Sequence, residues 1–428
     1  DYEEFSDLIG MHIYNPTSSL EEFGATLHDN EYLSLIDRYR VKQTSLEEEF
    51  KKHGHLDGGW QKLDKLDRGF KEFKRARTLF DFTDMLEGLI MEEDKIPSFK
   101  VLIIDEAQDL SFLQWKLVDK LIERSEKVYI AGDDDQAIYQ WAGADVNALL
   151  SRANREGSIK DVLKQSYRIP ASVHPYAISL INRNKNREPK IWNPCKEKGL
   201  IKFPNYKDLS LFKEGQWLLL APTGYHLDKM CSDMRNQGIY FKRKGFFSVS
   251  QESIDAMFAW QKLQQGERLF LDEVKLIYKY ISSKTGLKWG AKKLLGVTED
   301  ETLTYEDLKG QHGLLISIET PWHAALDRMS EREQRMINSL LKKKEDLKKP
   351  PRITVSTIHG AKGGEADNVM LLTDISRKGL EEYYKNGEEM RRVFYTAMTR
   401  AKKQLHVVAP ETEIEFGEIR YDHQKRQR

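Results

Sequence analysis

The stretch VLIIDEAQD at residues 101–109 ends a run of four apolar residues in two adjacent acids, Asp105 and Glu106, with a third, Asp109, three positions on. Residues 101–104 read as a strand buried on both faces, the pattern of an inner strand in a parallel sheet. In open α/β sheets ligands sit outside the carboxyl ends of the strands, which is where Asp105 and Glu106 project. A hard cation such as Mg²⁺ takes one or two carboxylates plus phosphate oxygens, and a neighbouring acid can polarise an attacking water. The competing reading makes Asp105 or Asp109 a cap for the next helix, where an acid complements the macrodipole. On this stretch alone both readings stand.

The next apolar run, in KVYIAGDDDQAIYQWAGAD from Lys127, again turns polar at its carboxyl edge and then interleaves Gln136 with Tyr139 and Trp141. A glutamine near a terminal phosphate can sense whether that phosphate is present, and flat rings stack on unpaired bases at about 1–3 kcal/mol per base. Isolated aromatics after a Gly-Asp turn are commonly core packing, but packing does not account for the whole cluster. Two arginines join it. In QSYRIP at 165–170, Pro170 stops a helix and Arg168 stands just before the break. In EEMRRVFYTAMTRAKKQLHVV, residues Met390, Val393, Phe394, Ala397 and Ala401 form one apolar helical stripe with Arg400 on its border. Alone, each is an ordinary surface or ion-pair arginine. Together, reaching one γ-phosphate from a second domain, they would stabilise the charge of phosphoryl transfer at a scale of about 10³–10⁵ in rate.

Elements of two kinds must position these groups. Residues 1 to about 95 carry helical spacing, as in Leu33, Ile36, Asp37 and Arg40 or Phe82, Met85, Leu86 and Leu89, broken by HGHLDGGW at 53–60. From 100 onward short apolar runs alternate with amphipathic stretches: VLIID, KVYIAGD at 127–133, WLLLAP at 217–222, ITVSTIH at 353–359, NVMLLTD at 368–374 and QLHVVAP at 404–410. That alternation predicts parallel sheets with crossover helices. Between about 251 and 350 the strand signal disappears and helical spacing returns, as in Leu271, Val274, Ile277, Tyr278 and Ile281. This predicts an inserted helical domain. Its closing run, LKKKEDLKKPPR, reads either as a solvated helix end and linker or as a binding patch.

With 428 residues the chain is long enough for two or more domains, each with its own core. Lys plus Arg equals Asp plus Glu at 68 each, a balance that neither points to nor excludes a nucleic acid, because a local basic groove suffices. Cys195 and Cys231 match neither a metal-ligand spacing nor a disulfide framework, so free thiols in a reducing cytoplasm are expected. No stretch approaches the roughly 20 apolar residues of a membrane helix, and DYEEFSDLIG lacks the basic and apolar parts of a signal peptide.

Taken in order, LIIDEAQD, GDDDQAIYQWAGAD, QSYRIP, TIHGAKGGEADNVML and EEMRRVFYTAMTRAKKQLHVV resemble the UvrD/Rep/PcrA-type superfamily 1 helicases over roughly 100 to 410. LFDFTDML at 79–86 resembles the segment that precedes the acidic motif in that family. The resemblance implies an α/β fold of two RecA-like parallel-sheet motor domains with helical insertions. It implies ATP and Mg²⁺ in the cleft between them and 3′-to-5′ movement on single-stranded DNA and at duplex junctions. It divides the chain into a helical insertion of the first motor domain at 1–99 and the remainder of that domain at 100–163. The second motor domain follows at 164–250 and 351–428, around an inserted helical domain at 251–350. Position by position, Asp105 would bind Mg²⁺, Glu106 would activate the water, and Gln136 would contact the γ-phosphate region. Arg168 and Arg400 would reach that phosphate from the second motor domain. Tyr167 would stack near the adenine and Glu365 would lie near the ribose, while Tyr139, Trp141, Thr357 and His359 would face DNA.

There are departures from the family pattern. Gly364 and Ala142 stand where Leu and Arg are usual, and Met390 where an acid is usual. The larger one is that no GxxxxGK[ST] occurs in the sequence, the phosphate-cradling loop of this family; SSKTG at 282–286 and AKGG at 361–364 lack its glycine spacing. The expectation is that this loop stands upstream of Asp1, that the first motor domain lacks its leading strands, and that the chain in this form hydrolyses ATP poorly or not at all. The alternative from another class is a non-catalytic DNA-binding or regulatory relative of the helicases.

Overall fold

Apolar residues at helical spacing make the described residues before Glu92 chiefly helical. In a computed structural model, which describes residues 2–10, 28–53, 59–205, 212, 214–294, 298 and 300–419, the helices here are α1 (Tyr2–Ile9), α2 (His28–Lys42), α3 (Leu46–His53), α4 (Gly59–Arg77) and α5 (Phe82–Met91). They close around Phe5, Tyr32, Ile36, Leu63 and Phe73. Residues 54–58 of the expected break HGHLDGGW lie outside the described residues. α5 opens on a capping box in which the Asp81 and Asp84 carboxylates each accept the other's backbone N–H. Arg40 and Lys74 clamp both acids at 2.6–3.0 Å, so LFDFTDML is pinned to α2 and α4.

Strand β1 (Phe99–Ile104) is followed by α6 (Phe112–Glu123) and by β2 (Ser125–Ile130), which pairs with β1 in parallel from Phe99↔Ser125 to Ile104↔Ile130. The expectation of an inner strand buried on both faces is corrected here: Val101 is 48% and Ile103 70% exposed, and of the four residues only Leu102 is buried. The cause is that, among the described residues, β1 pairs with β2 alone. Trp115, Val118 and Ile122 of α6 pack against Ile104 and Ile130, while Val101, Ile103 and the cross-strand Tyr129 face solvent.

The chain continues through α7 (Val146–Ala153), α8 (Val173–Ile181), β3 (Leu200–Lys202), β4 (Trp217–Ala221) and α9 (Gly224–Asn236). Residues 228–355 form a compact unit of their own. It holds β5 (Phe241–Arg243), β6 (Phe246–Phe247), α10 (Gln251–Gln264), β7 (Leu269–Phe270), α11 (Leu271–Tyr280), β8 (Thr302–Leu303), α12 (Tyr305–Gly310), α13 (Trp322–Ala325) and α14 (Glu331–Lys342). Its core is Met257, Trp260, Val274, Ile277, Ile337 and Leu340. The helical spacing of 251–350 lies inside this unit; the two-residue strands β7 and β8 are too short to show a period. In LKKKEDLKKPPR, Leu347 is buried and Lys343 donates to the Gly238 carbonyl at 2.9 Å, which ties the run to its own unit.

The other unit comprises residues 1–227 and 356–428. After β9 (Ile353–Thr357) come β10 (Ala366–Leu372), α15 (Arg377–Lys385), α16 (Gly387–Met398) and β11 (Ala401–Val408). β3, β11, β10 and β4 lie side by side in that order, all parallel. β4 is buried along its whole length, as a continuous apolar run in a parallel sheet should be. Leu218, Leu220, Val369, Leu371, Leu405 and Val407 share one core with Ala177 and Leu180 of α8 and with Phe394 and Ala397 of α16. Ile138, from the loop after β2, is buried in that same core and joins the first half of the unit to the second. The stripe expected to run to Ala401 is corrected too: α16 stops at Met398, and Arg400 sits in the turn before β11. Pairing of residues 401–408 with β10 pulls them out of the helix, so Arg400 is 3% exposed rather than on a border.

Candidate functional site

Asp105 and Glu106 leave the carboxyl end of β1 as exposed neighbours. Asp105 Oδ1 accepts the Glu106 N–H at 2.8 Å, and Glu106 holds a left-handed backbone, φ 51°, which costs a side-chain-bearing residue about 1–3 kcal/mol. Neither Asp105 nor Asp109 caps a helix. Ser111 caps α6, in a capping box with Gln114. Asp109 instead forms an ion pair with Lys362 of the segment after β9. The Glu106 carboxylate accepts from Gln108 Nε2 at 2.5 Å and lies 3.6 Å from Lys362 Nζ. Gln108 is buried, and its carbonyl oxygen accepts the Asp133 N–H at 2.9 Å, which ties the ends of β1 and β2 together.

Across from these acids, Arg400 Nη2 donates to Gln136 Oε1 at 2.5 Å, and Gln136 Nε2 donates to Asp133 Oδ2 at 2.6 Å. Burial, then the neighbouring charge of Arg168, pulls the Arg400 guanidinium down to about 10, against the attraction of Glu106. Arg168 lies 3.8 Å from Glu365; burial lowers its pKa, and its Nε has no partner among the described residues. A hydrogen bond from Lys402 at 2.8 Å holds the Glu365 carboxyl below the usual range. Tyr167 is 91% exposed. Arg400 thus bonds Gln136 and feels the charges of Glu106 and of Arg168, which is itself paired with Glu365.

Sequence reasoning missed what holds the loop after β2 in place. Arg187 grips Asp135 with two bonds of 2.6 and 2.8 Å, Lys190 reaches Asp133 at 2.6 Å, and Arg392 Nε donates to the Asp134 carbonyl at 2.9 Å. Burial favours the neutral form of Asp133, but Lys190, with Gln136 and the Asp135 N–H, holds the carboxyl below its usual range. The three acids stood in a quoted motif; KNREPK at 185–190, with two of their cations, carried no signal.

The loop after β2 and the segment after β9 bring three rings together. Tyr139 and Trp141 lie 6.3 Å apart, and each is within 6.0 Å of the His359 ring. Tyr139 donates its hydroxyl hydrogen to the His359 carbonyl at 3.1 Å, and His359 Nε2 donates to the Ile138 carbonyl at 3.1 Å. Burial pushes the His359 imidazole down to about 4, so the ring is neutral at pH 7. Thr357 is buried, and its hydroxyl accepts the Gly360 N–H at 3.1 Å. The Trp141 N–H goes to Glu389 at 3.2 Å, an acid one position before Met390, where the family pattern has one.

Among the described residues no group of three or more His, Cys, Asp or Glu side chains could hold a metal ion. An exposed Asp105–Glu106 pair suits Mg²⁺, which relies on one or two carboxylates and on phosphate oxygens rather than on a protein cage. Cys195 and Cys231 are free thiols, and no described helix is long and apolar enough to cross a membrane.

Two family models match the chain: the UvrD/REP helicase N-terminal domain over residues 8–156 and the UvrD-like helicase C-terminal domain over residues 323–412. Among curated proteins, the ATP-dependent DNA helicase PcrA of Bacillus subtilis is 33% identical over 148 residues, 32% of this chain and 20% of the relative. The probable DNA helicase II homolog of Rickettsia conorii is 25% identical over 434 residues, 80% of this chain and 66% of the relative. The ATP-dependent DNA helicase Rep of Buchnera aphidicola is 27% identical over 124 residues, 27% of this chain and 18% of the relative. The matches therefore span between about a fifth and two thirds of these relatives' lengths.

Proposed function

The chain belongs to the UvrD/Rep helicase family, and from that premise we propose that the protein is an ATP-dependent DNA helicase that moves 3′-to-5′ on single-stranded DNA in the cytoplasm and opens duplex at junctions. The observation that supports the reading is the 2.5 Å bond from Arg400 to Gln136, which ties a buried cation of the β10–β11 half to the loop after β2, within the field of Glu106. An arginine so held stabilises charge that develops on a transferred phosphoryl group. Glu106 polarises the attacking water, Gln136 senses the γ-phosphate, and Arg168 adds a second positive charge. Asp105 holds Mg²⁺, which supplies charge neutralisation on the phosphates when bound. Tyr167, with its ring open, stacks on adenine and Glu365 accepts from the ribose. Tyr139, Trp141 and His359 offer ring faces to unpaired bases, with Thr357 fixing the turn that carries His359.

The test is ATP turnover by the protein as expressed from its gene, with and without single-stranded DNA, next to Glu106→Gln. Turnover that rises with DNA and falls about 10²–10⁴-fold in the variant, with ATP binding retained, is the expected result. DNA binding without turnover would favour the second reading, a non-catalytic relative. A tailed duplex that is unwound only from a 5′ single strand would overturn the direction.

A further inference from the structure

We propose that Lys362 is a positioning residue that couples the aromatic face to the aim of Glu106. The inference rests on the ATP-turnover reading above and assigns it a residue with no role so far. Lys362 Nζ meets both the acids after β1 and the aromatic cluster. Toward the acids it forms the ion pair with Asp109 and stands 3.6 Å from the Glu106 carboxylate; toward the loop after β2 it donates to the Gln136 carbonyl at 3.1 Å. On the other side it lies 5.3 Å from the centre of the Tyr139 ring, within range of a cation–π contact. The side chain is 11% exposed, so its charge is held by these partners rather than by water.

Glu106 is oriented by two contacts, Gln108 from its own segment and Lys362 from the segment after β9. Lys362 in turn cannot move alone. Its N–H closes a turn on the His359 carbonyl at 3.1 Å, the oxygen that also accepts from Tyr139, and the Ala361 N–H closes on Thr357 at 3.0 Å. A strand that shifts Tyr139 or His359 therefore shifts the ammonium beside Glu106. Asp109 is the anchor of this lever: burial raises its carboxyl above the usual range, Lys362 opposes that, and its Oδ1 is buried without a partner among the described residues. Without Lys362 the anchor loses its counter-charge and Glu106 keeps only Gln108.

The experiment compares Lys362→Met, which keeps length without charge, with Lys362→Arg, which keeps charge. DNA-stimulated ATP turnover, ATP KM, single-strand affinity and thermal midpoint are measured in the protein as expressed from its gene. In Lys362→Met, kcat with DNA should fall by about tenfold to a hundredfold, while KM and strand affinity each move less than about threefold. Lys362→Arg should recover most of the loss, and Asp109→Asn should reproduce it. If Lys362→Met does not fold, Lys362→Gln is read in the same way. A stimulation factor equal to wild type in the Met variant, or a loss shared equally by kcat, strand affinity and midpoint that Arg does not rescue, overturns the inference. A wild-type protein with no DNA-dependent turnover overturns the proposed function and this inference together.

Discussion

The loop after β2 meets the elements around β10 and α16 at two ends, and the two are built from different chemistry. At one end lie Asp133, Asp134, Asp135 and Gln136, held by Arg187, Lys190, Arg392 and Arg400. At the other end lie Tyr139 and Trp141 against His359, held by two bonds to backbone carbonyls and one to Glu389. Buried ion pairs are directional, and breaking one strands a charge; ring contacts tolerate rotation and keep much of their value in several geometries. The ionic end therefore fixes where the two halves of the unit stand, and the aromatic end is left able to give when something binds. Both properties sit in one loop, with only Ala137 and Ile138 between them.

Removing Arg400 should give the largest effect and confine it to the ionic end. Arg400→Ala is expected to lower ATP turnover by about 10³-fold at saturating DNA. Strand affinity, followed by fluorescence anisotropy, should stay within about threefold. An equal loss of both would mean that the two ends are one site.

Next in size is the network behind it. Asp135→Asn keeps the shape of a side chain that Arg187 grips and Lys190 faces, but takes away the charge, leaving two half-buried cations short of a buried anion. Stability should drop by about 3 kcal/mol, read from urea midpoints. A drop below about 1 kcal/mol would show that the ionic end does not fix the geometry.

The sequence made the strands legible and the contacts between them only in part. Each of the six apolar runs from VLIID to QLHVVAP is a strand, because a buried parallel strand needs an unbroken apolar run and the chain writes it locally. Whether a strand is covered is not local. Val101 and Ile103 read as core, yet they face solvent, since coverage depends on which neighbours the sheet has. Gln136, Tyr139, Trp141, His359 and Arg400 could be singled out because each stands in a dense motif. Lys362 stood in one as well, in TIHGAKGG, but a lysine next to glycines reads as surface until Asp109 is seen to reach it from 253 residues away. Arg187 and Lys190 were illegible for the same reason: an ion pair leaves no period in the sequence of either partner.

At the aromatic end Trp141→Ala should weaken single-strand binding by about 1–3 kcal/mol and leave urea midpoints within about 1 kcal/mol of wild type. Such a split would set this end apart from Asp135, whose loss shows in stability. Unchanged strand affinity would assign Trp141 to packing.

The effects smallest at pH 7 sharpen the comparison, because the aromatic end carries two half-buried titratable groups with opposite pH signatures. His359 titrates near 4 when folded, chiefly through burial with a further push from Lys362, against an ordinary value of 6.5. As pH falls through 6.5 the unfolded chain takes up a proton that the folded chain refuses, so stability is lost between about pH 6.5 and 4. Glu389 is raised above its ordinary 4.5 by burial and by Glu382, while the Trp141 N–H, Arg392 and Lys42 pull the other way. Here the folded chain keeps a proton that the unfolded chain has released, so stability present below pH 4.5 is lost as pH rises through the folded value. His359→Gln keeps a donor for the Ile138 carbonyl and should flatten the acid side of the profile, a change of about 3 kcal/mol by pH 4. Glu389→Gln keeps an acceptor for Trp141 and should raise stability at pH 7 by about 1 kcal/mol or less. Urea midpoints from pH 4 to 8 measure both. Curves parallel to wild type in the two variants would mean that these two groups are solvated in solution.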